Sequence, residues 1–330
     1  MNSKKKVVLS GMRPTGKLHL GHYHGVLRNW LKLQEEYDCF FFIADWHALT
    51  TEYATPEVIR ESRREILADW LSVGLDPRKS TLFIQSSVKE HAELQLLLSM
   101  ITPLGWLERV PSYKEMQQEL SNKDLSTHGF LGYPVLQTAD IVLYNAEIVP
   151  VGSDQVPHIE LAREIVRRFN SLYKQQVLVE PQPLLTPAPK LLGPDRRKMS
   201  KSYDNCLFLS DSPKEIEKKV LSAITDPARQ RKEDPGHPDI CLIFDYHKLH
   251  SDRETIERVR RDCCAAAIGC VEDKKMMANI LNNFLDPIRK KREELLKRPK
   301  DLEDIIQEGN RRAHEVAAQT MERVRSAMKL

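Results

Sequence analysis

SGMRPTGKLHLGHYHGV, Ser10 to Val26, closes an apolar run, sets glycines at 11, 16, 21 and 25, and brings three histidines into one corner. Upstream, Lys6 to Gly11 reads as a first β-strand. Downstream, Val26, Leu27, Trp30, Leu31 and Leu33 recur at helical spacing, so a helix with one buried stripe is expected from His22 to about Glu36. A strand that breaks at glycine and re-enters as a helix is a ready anion site, because the helix's first N–H groups lack partners within it. The stretch matches neither G-x-x-x-x-G-K-[ST] nor G-x-G-x-x-G. It offers His19-Leu20-Gly21-His22 instead. Two histidines can donate to a phosphate as charge develops, and the bare Gly21 lets a flat ring approach the backbone. An adenine nucleotide suits both halves. His19, His22 and His24 are also close enough in sequence to act as metal ligands, although neither H-E-x-x-H nor a carboxylate partner follows. Surface histidines at a helix start are the plain alternative.

Working outward, strand-like runs alternate with helix-period segments through the first half, the pattern of a parallel sheet covered on both faces. CFFFIAD from Cys39 is the second strand and TLFIQ, Thr81 to Gln85, the third. Between them Thr55-Pro56 supplies an N-cap and a first-turn proline, and Gly74 a left-handed stop. EIVPVG, Glu147 to Gly152, is a later strand, and the helix after it carries Ile159, Leu161, Ile165 and Val166. PQPLLTPAPKLLGPDRRK, ending at Lys198, is too rich in proline for a helix or a central strand and is expected to be a loop. Ser212-Pro213-Lys214-Glu215 is a capping box opening a helix with Ile216, Val220, Leu221 and Ile224, and the chain to Leu330 reads as almost entirely helical. Within it the run Arg289-Lys290-Lys291-Arg292 is either a phosphate-facing patch or a solvated face. The expected fold is α/β, a Rossmann-like doubly wound parallel sheet with a C-terminal α-helical domain.

A chain of 330 residues is long enough for two domains. Its 41% hydrophobic and 29% charged residues are those of a folding globular protein. A net charge of only +3 excludes a generally cationic polymer-binder, so any nucleic-acid contact must be local. MNSKKKVVLSG is charged like the start of a signal peptide, but its apolar run meets Arg13 and Pro14, and no apolar stretch has the length of a membrane span. A cytoplasmic location is expected, with the six cysteines reduced or bound to metal rather than paired in disulfides.

Far from the first corner lies Lys198-Met199-Ser200-Lys201-Ser202. Two lysines three apart, with small hydroxyl residues between them, can clamp a polyphosphate. Together the two stretches resemble the HIGH and KMSKS motifs of the class I aminoacyl-tRNA synthetases, in the expected order. Within that class SGMRPTGKLHLGHYHGVL, ADWHALT (44–50), YPVLQTADIVLYNAEIVPVGSDQVPHIELAREIVRRFN (133–170) and KMSKS are similar to the bacterial tryptophanyl enzymes. The similarity spans nearly the whole chain and fades after about residue 205.

The resemblance implies a two-step reaction: the carboxylate of L-tryptophan attacks the α-phosphate of ATP, and the adenylate passes its acyl group to the 3′ end of tRNA(Trp). It implies a catalytic domain over 1–205 and an anticodon-binding helical domain over 206–330. His19 and His22 would serve the α-phosphate, while Lys198 and Lys201, with Mg²⁺, would hold the leaving pyrophosphate. Arg13, Pro14, Thr15 and Gly21 would line the nucleotide site with Met199, Ser200 and Ser202, and Gly152, Ser153 and Asp154 would lie at the ribose. Asp140 would accept the indole N–H, with His47 near the ring, Tyr133 and Gln137 at the α-amino group and Gln155 at the polar end. Gln137 stands where many tryptophan enzymes carry methionine, and Y-x-x-x-Q-x-x-D also occurs in tyrosine-specific relatives, so tyrosine is the rival substrate. Leu9 speaks against it, standing where archaeal-type tyrosine enzymes place a tyrosine.

Partners implied are tRNA(Trp) and a second copy of the chain; no membrane is expected. Cys241, Cys263, Cys264 and Cys270 are spaced like the ligands of a four-iron cluster in some of these synthetases, but Asp273 stands for the fourth cysteine. A lost cluster with structural thiols is the expectation. A small-molecule adenylyltransferase shares an H-x-G-H corner but is usually far shorter. A non-catalytic RNA-binding paralogue has no need of His19, His22, Lys198 and Lys201.

Overall fold

In the computed structural model, residues 5–110, 126–185, 191–224, 226–231 and 233–330 are described. Five parallel strands form one sheet in the order β3-β2-β1-β4-β5: β1 Val7–Met12, β2 Asp38–Ile43, β3 Ser80–Ile84, β4 Ile148–Val151 and β5 Gln182–Leu185. The order runs outward one way from β1 to β3 and the other way from β4 to β5, so the topological switch lies between β1 and β4. In such sheets ligands bind at the carboxyl ends of the strands beside that switch. The strands are short apolar runs because both faces are buried: Val8, Phe41 and Phe83 have no exposed surface. The proline-rich stretch departs from expectation at its start, where Gln182–Leu185 pairs with β4 at the sheet edge and Pro183 is tolerated. Residues 186–190 of that stretch, and residues 1–4 of the signal-like start, lie outside the described residues.

Helices fill the crossovers: α1 Leu20–His22, α2 Arg28–Glu36, α3 Asp45–Glu52, α4 Pro56–Val73, α5 Glu90–Ser99, α6 Leu104–Glu108, α7 His128–Leu143 and α8 Val156–Tyr173. Five residues of π-helix, Tyr23–Leu27, separate α1 from α2. α4 starts at Pro56 and ends on Gly74 with φ 113°, as its sequence signals foretell, although Thr55 makes no side-chain cap. α7 carries Tyr133, Gln137, Asp140 and, one residue past its end, Tyr144 on one face, since these positions repeat by three and four.

The chain divides into two compact units, and neither follows the expected boundary at 205/206. The first gathers the described residues of Met1–Gly16, Arg28–Ala188 and Arg298–Leu330; the second gathers Lys17–Leu27 and Pro189–Lys297. The last helix, α13 Pro299–Met328, thus belongs with the sheet. It lies so close to β3 that a Cβ on Gly309 would fall 1.7 Å from the Leu82 carbonyl oxygen, and Asn310 Oδ1 accepts the Ile84 N–H at 2.9 Å. An edge strand with open N–H groups needs such a cover. Arg325 adds a two-pronged ion pair to Glu93 at 2.6 and 2.7 Å.

The second unit is built from α9 Pro213–Leu221, α10 Leu242–His250, α11 Arg253–Cys264 and α12 Cys270–Leu296. The expected capping box at Ser212 and Glu215 is formed. Ile224 departs from expectation, lying beyond α9 and exposed. The basic run divides: Arg289 and Arg292 are buried, and Arg289 donates to Asp211 O and to Asn282 Oδ1, each at 3.1 Å. It is therefore no continuous phosphate-facing patch; helical spacing turns two of its four charges inward.

Candidate active site

In the second unit the histidine corner is held from behind by backbone. Leu20 N donates to Leu207 O and Leu209 N to Leu18 O, both at 2.9 Å, and His19 bridges to Phe208. At the start of α1, Gly21 N donates to His19 Nδ1 at 3.1 Å, and His19 N to His22 Nδ1 at 3.2 Å, a capping box made of two imidazoles. Each Nδ1 is an acceptor, so the proton of each neutral ring sits on Nε2, where a ligand can use it. Burial, reinforced by the charge of Lys201, lowers His19 to about 4. Burial first, then His19 and Lys201, hold His22 well below the ordinary histidine value. Both rings are neutral donors at neutral pH.

This geometry corrects the expectation that the helix start itself offers bare amides. Leu20 N is taken by Leu207 O, Gly21 N by His19 Nδ1, and the N–H groups of His22 and Tyr23 by His19 O. The imidazole Nε2–H groups replace them as anion donors. Gly21 also has a nearer reason to lack a side chain: a Cβ there would lie 2.9 Å from the His19 ring. His24 goes elsewhere, its Nε2 lying 2.9 Å from His250 Nε2, so the three histidines do not face one point. Among the described residues no group of three His, Cys, Asp or Glu is arranged to hold a metal ion.

The KMSKS segment lies in the same unit as these histidines. Leu192 and Lys198 form a bridge, and the loop turns through left-handed residues Arg196 (φ 64°) and Asp204 (φ 49°). Its organiser is Asn205, which sequence reasoning missed. Asn205 Oδ1 accepts Ser200 N at 2.8 Å, while its Nδ2 donates to Asp195 Oδ1 at 2.7 Å and to Lys198 O at 3.2 Å. A Cβ on Gly193 would lie 2.4 Å from the Asn205 carbonyl oxygen, so glycine is required beside it. Met199 is buried, 3.9 Å from where a Gly21 Cβ would stand, and ties the loop to the histidine corner. The side chain of Ser202 lies outside the described residues.

In the first unit, side chains gather where strands β1 to β4 end. Arg13, just past β1, is bonded to the Thr51 hydroxyl of α3, and burial lowers its guanidinium despite the opposing influence of Glu52 and Tyr133. Thr15 N closes a turn on Arg13 O at 3.0 Å, with Pro14 buried between them. Leu9 is a core residue of the sheet, 2% exposed. Past β4, Gly152 to Gln155 form a short turn; a Cβ on Gly152 would strike Asp154 Oδ1 at 2.5 Å, and Gln155 Nε2 donates to Asp154 Oδ2 at 3.0 Å. Gln137 is half-buried on α7.

Asp140 is held through both of its carboxylate oxygens. Only 1% exposed, it accepts His47 Nε2 on Oδ2 at 2.7 Å and His91 Nδ1 on Oδ1 at 2.6 Å, while Gln85 Nε2 spans both oxygens at 2.8 and 3.0 Å. Burial raises its pKa more than any other single influence, but the two histidines together outweigh it and leave the carboxyl below its ordinary value. Tyr133 shares this region through a ring contact with His47 (6.4 Å between centroids), and its hydroxyl lies 2.7 Å from His158 Nε2. Burial lowers His158 to about 4, against the opposing charge of Asp154. Gln85, His91 and His158 were not singled out from sequence. The one available signal was position: Gln85 stands at the C-terminal end of a parallel strand, where sites form.

The cysteine cluster does not fit a four-iron cluster. Burial first, with Asp273 and Cys270 adding to it, raises the thiols of Cys241 and Cys263, but Arg229 Nη1 lies 3.9 Å from Cys270 Sγ, and Asp273 Oδ1 is engaged by His247 Nε2 at 3.1 Å. Cys264 is exposed. Cluster irons are ordinarily ligated by four thiolates; here a carboxylate and a guanidinium stand among three.

The family description "tRNA synthetases class I (W and Y)" matches residues 1–286. A tryptophan–tRNA ligase of Thermotoga maritima is 53% identical over 98% of the chain and 99% of its own length, and one of Aquifex aeolicus is 48% identical over 98% and 99%. Among solved structures, the tryptophanyl-tRNA synthetase of Campylobacter jejuni, complexed with ADP and tryptophan, superposes with TM-score 0.90 at 34% identity, covering 98% of this chain and all of that one. A tyrosyl-tRNA synthetase of Archaeoglobus fulgidus, complexed with L-tyrosine, superposes less well, with TM-score 0.67 at 25% identity over 88% and 91% of the two chains.

Proposed function

The chain belongs to the class I tRNA synthetases for tryptophan and tyrosine, and from that premise we propose how its residues carry out the ligation of tryptophan to tRNA. The amino acid is activated by ATP to tryptophanyl-adenylate and then transferred to the 3′ end of tRNA(Trp). Attack of a carboxylate on the α-phosphate needs no enzyme nucleophile; it needs positioning and stabilisation of charge on the transferred and leaving phosphates. His19 and His22 donate from Nε2 to the α-phosphate. Lys198 and Lys201 hold the leaving pyrophosphate. Mg²⁺ bound with the nucleotide would supply charge neutralisation to the phosphates beside Lys198 and Lys201. Arg13, Pro14 and Thr15 contact the nucleotide, Gly152 to Asp154 the ribose, and Tyr133, Gln137 and Gln155 the polar end of the amino acid. Asp140 accepts the indole N–H.

The observation that carries this reading is that one unit holds both the imidazole capping box of His19 and His22 and the KMSKS loop, whose Lys201 charge helps lower both rings. The test is exchange of labelled pyrophosphate into ATP with each amino acid in turn. Tryptophan alone should support efficient exchange; equal turnover of tyrosine would overturn the assignment.

Among the described residues no helix is long and apolar enough to cross a membrane, and the proposed setting is the cytoplasm, where tRNA is charged. The C-terminal helices are assigned to the anticodon end of the tRNA. The working form is assigned as a homodimer, supported by Leu96 and Met100, one turn apart along α5 and its end, which are 53% and 69% exposed. Exposed apolar side chains so grouped mark contact surfaces. Replacing Leu96 and Met100 by glutamate should halve the mass seen by equilibrium sedimentation; a monomeric wild type at micromolar concentration would refute the dimer.

A further inference from the structure

Behind Asp140 the first unit holds two groups that no role in activation yet uses. His91, on α5, has no exposed surface and touches the carboxylate with Nδ1; its other nitrogen, Nε2, lies 2.7 Å from the Tyr144 hydroxyl. We propose that His91 and Tyr144 are positioning residues for amino-acid selection, a buried hydroxyl–imidazole relay that fixes Asp140 as an acceptor-only group facing the indole N–H. The proposal rests on the assignment of Asp140 to that nitrogen.

The direction of the relay follows from the donors available. His91 Nδ1 faces a carboxylate that can only accept, so Nε2 is the ring's acceptor and the Tyr144 hydroxyl is the donor to it; burial, followed by the charges of Asp140 and Glu90, pushes the Tyr144 pKa well above the ordinary value and keeps its proton in place. Donating to His91 Nε2, it leaves the ring proton on Nδ1, aimed at Asp140 Oδ1. Gln85 is locked in the same sense, because its Oε1 accepts the backbone N–H groups of Trp46 and His47 at 3.1 and 3.4 Å, which turns its amide nitrogen to the carboxylate. Every group behind Asp140 therefore presents a hydrogen to it. The rings of Phe42 and Phe83, 6.2 and 6.0 Å from that of His91, surround the imidazole with apolar surface. A carboxylate so held cannot rotate to suit another partner, and without a proton of its own it can only accept. A site built to pair one substrate hydrogen rejects an analogue that lacks it.

The test compares tryptophan with its sulfur isostere, 3-(benzothiophen-3-yl)alanine, in pyrophosphate exchange by the full-length enzyme. In His91→Leu the KM for tryptophan should rise about 10- to 100-fold, with kcat and the KM for ATP little changed, and the preference for tryptophan over the isostere should fall by the same factor. Tyr144→Phe, which removes one oxygen, should lower that preference about 3- to 10-fold. His91→Asn can place its amide nitrogen where Nδ1 was and should return the preference to within about threefold of wild type. A merely structural role would lower the melting temperature without moving the preference. If His91→Leu fails to fold, Tyr144→Phe decides alone. An unchanged preference in folded Tyr144→Phe and His91→Leu, beside a lowered one in Asp140→Asn, overturns the relay; an unchanged preference in Asp140→Asn as well removes its premise.

Discussion

Asp140→Ala should cut kcat/KM for tryptophan by about 10²- to 10³-fold, the equivalent of about 3–4 kcal/mol, on the scale of breaking a buried charge pair. The loss has two sources. On the proposed assignment the indole N–H loses its acceptor, and His47, His91 and Gln85, all aimed at one buried carboxylate, are left facing a void. The second source also lowers stability, so the kinetic measurement belongs beside a thermal melt. Pyrophosphate exchange at varied tryptophan should show the rise chiefly in KM for the amino acid, because the nucleotide groups are untouched. A folded variant with tryptophan kinetics within about threefold of wild type would refute the assignment, since it is far below the cost of a lost buried partner. A pH dependence follows with a definite sign. The carboxyl is held below its ordinary value of 3.8, so its stabilisation is fully present above that pH and lost as the pH falls through the folded value. The stability gap between wild type and Asp140→Ala should narrow below about pH 4.

His22→Ala and Lys201→Met should each slow pyrophosphate exchange by about 10²- to 10³-fold, the scale for removing one donor to developing charge. The loss should fall on kcat more than on the KM for ATP, because these contacts strengthen as charge moves onto the phosphates. An independent readout comes from the imidazoles themselves. Lys201 is one of the causes that lower His19 to about 4, so in Lys201→Met the His19 resonance, followed by NMR at the ring Cε1–H, should titrate at higher pH. An unmoved His19 titration together with unchanged exchange would mean that Lys201 does not serve the histidine corner.

Much of this site could be read from local pattern. His19, Gly21 and His22 are set by a strand-to-helix corner, and Ser212 with Glu215 by a capping box; both depend on residues within a few positions of one another. Resemblance added Asp140, His47 and Tyr133, which the fold places in one unit. Gln85, His91 and Tyr144 escaped because each is an ordinary residue in its own segment and gains meaning only from a carboxylate 49 or more positions away in two cases. Asn205 escaped likewise: an asparagine after a lysine-rich loop reads as a turn until its amide is seen closing that loop from inside.

By itself the sequence determined four of the five strands, the alternation that makes a parallel sheet, and the histidine corner and lysine loop as candidate motifs, because hydrophobic period and turn residues act over one or two turns of chain. Only the tertiary structure decided that the helix's first amides are already spent on His19 and Leu207, that the last helix joins the sheet unit, and that half the basic run at 289–292 is buried. Those outcomes turn on which donor meets which acceptor across long separations. Buried polar groups must find partners wherever the fold supplies them, and no local pattern names that partner in advance.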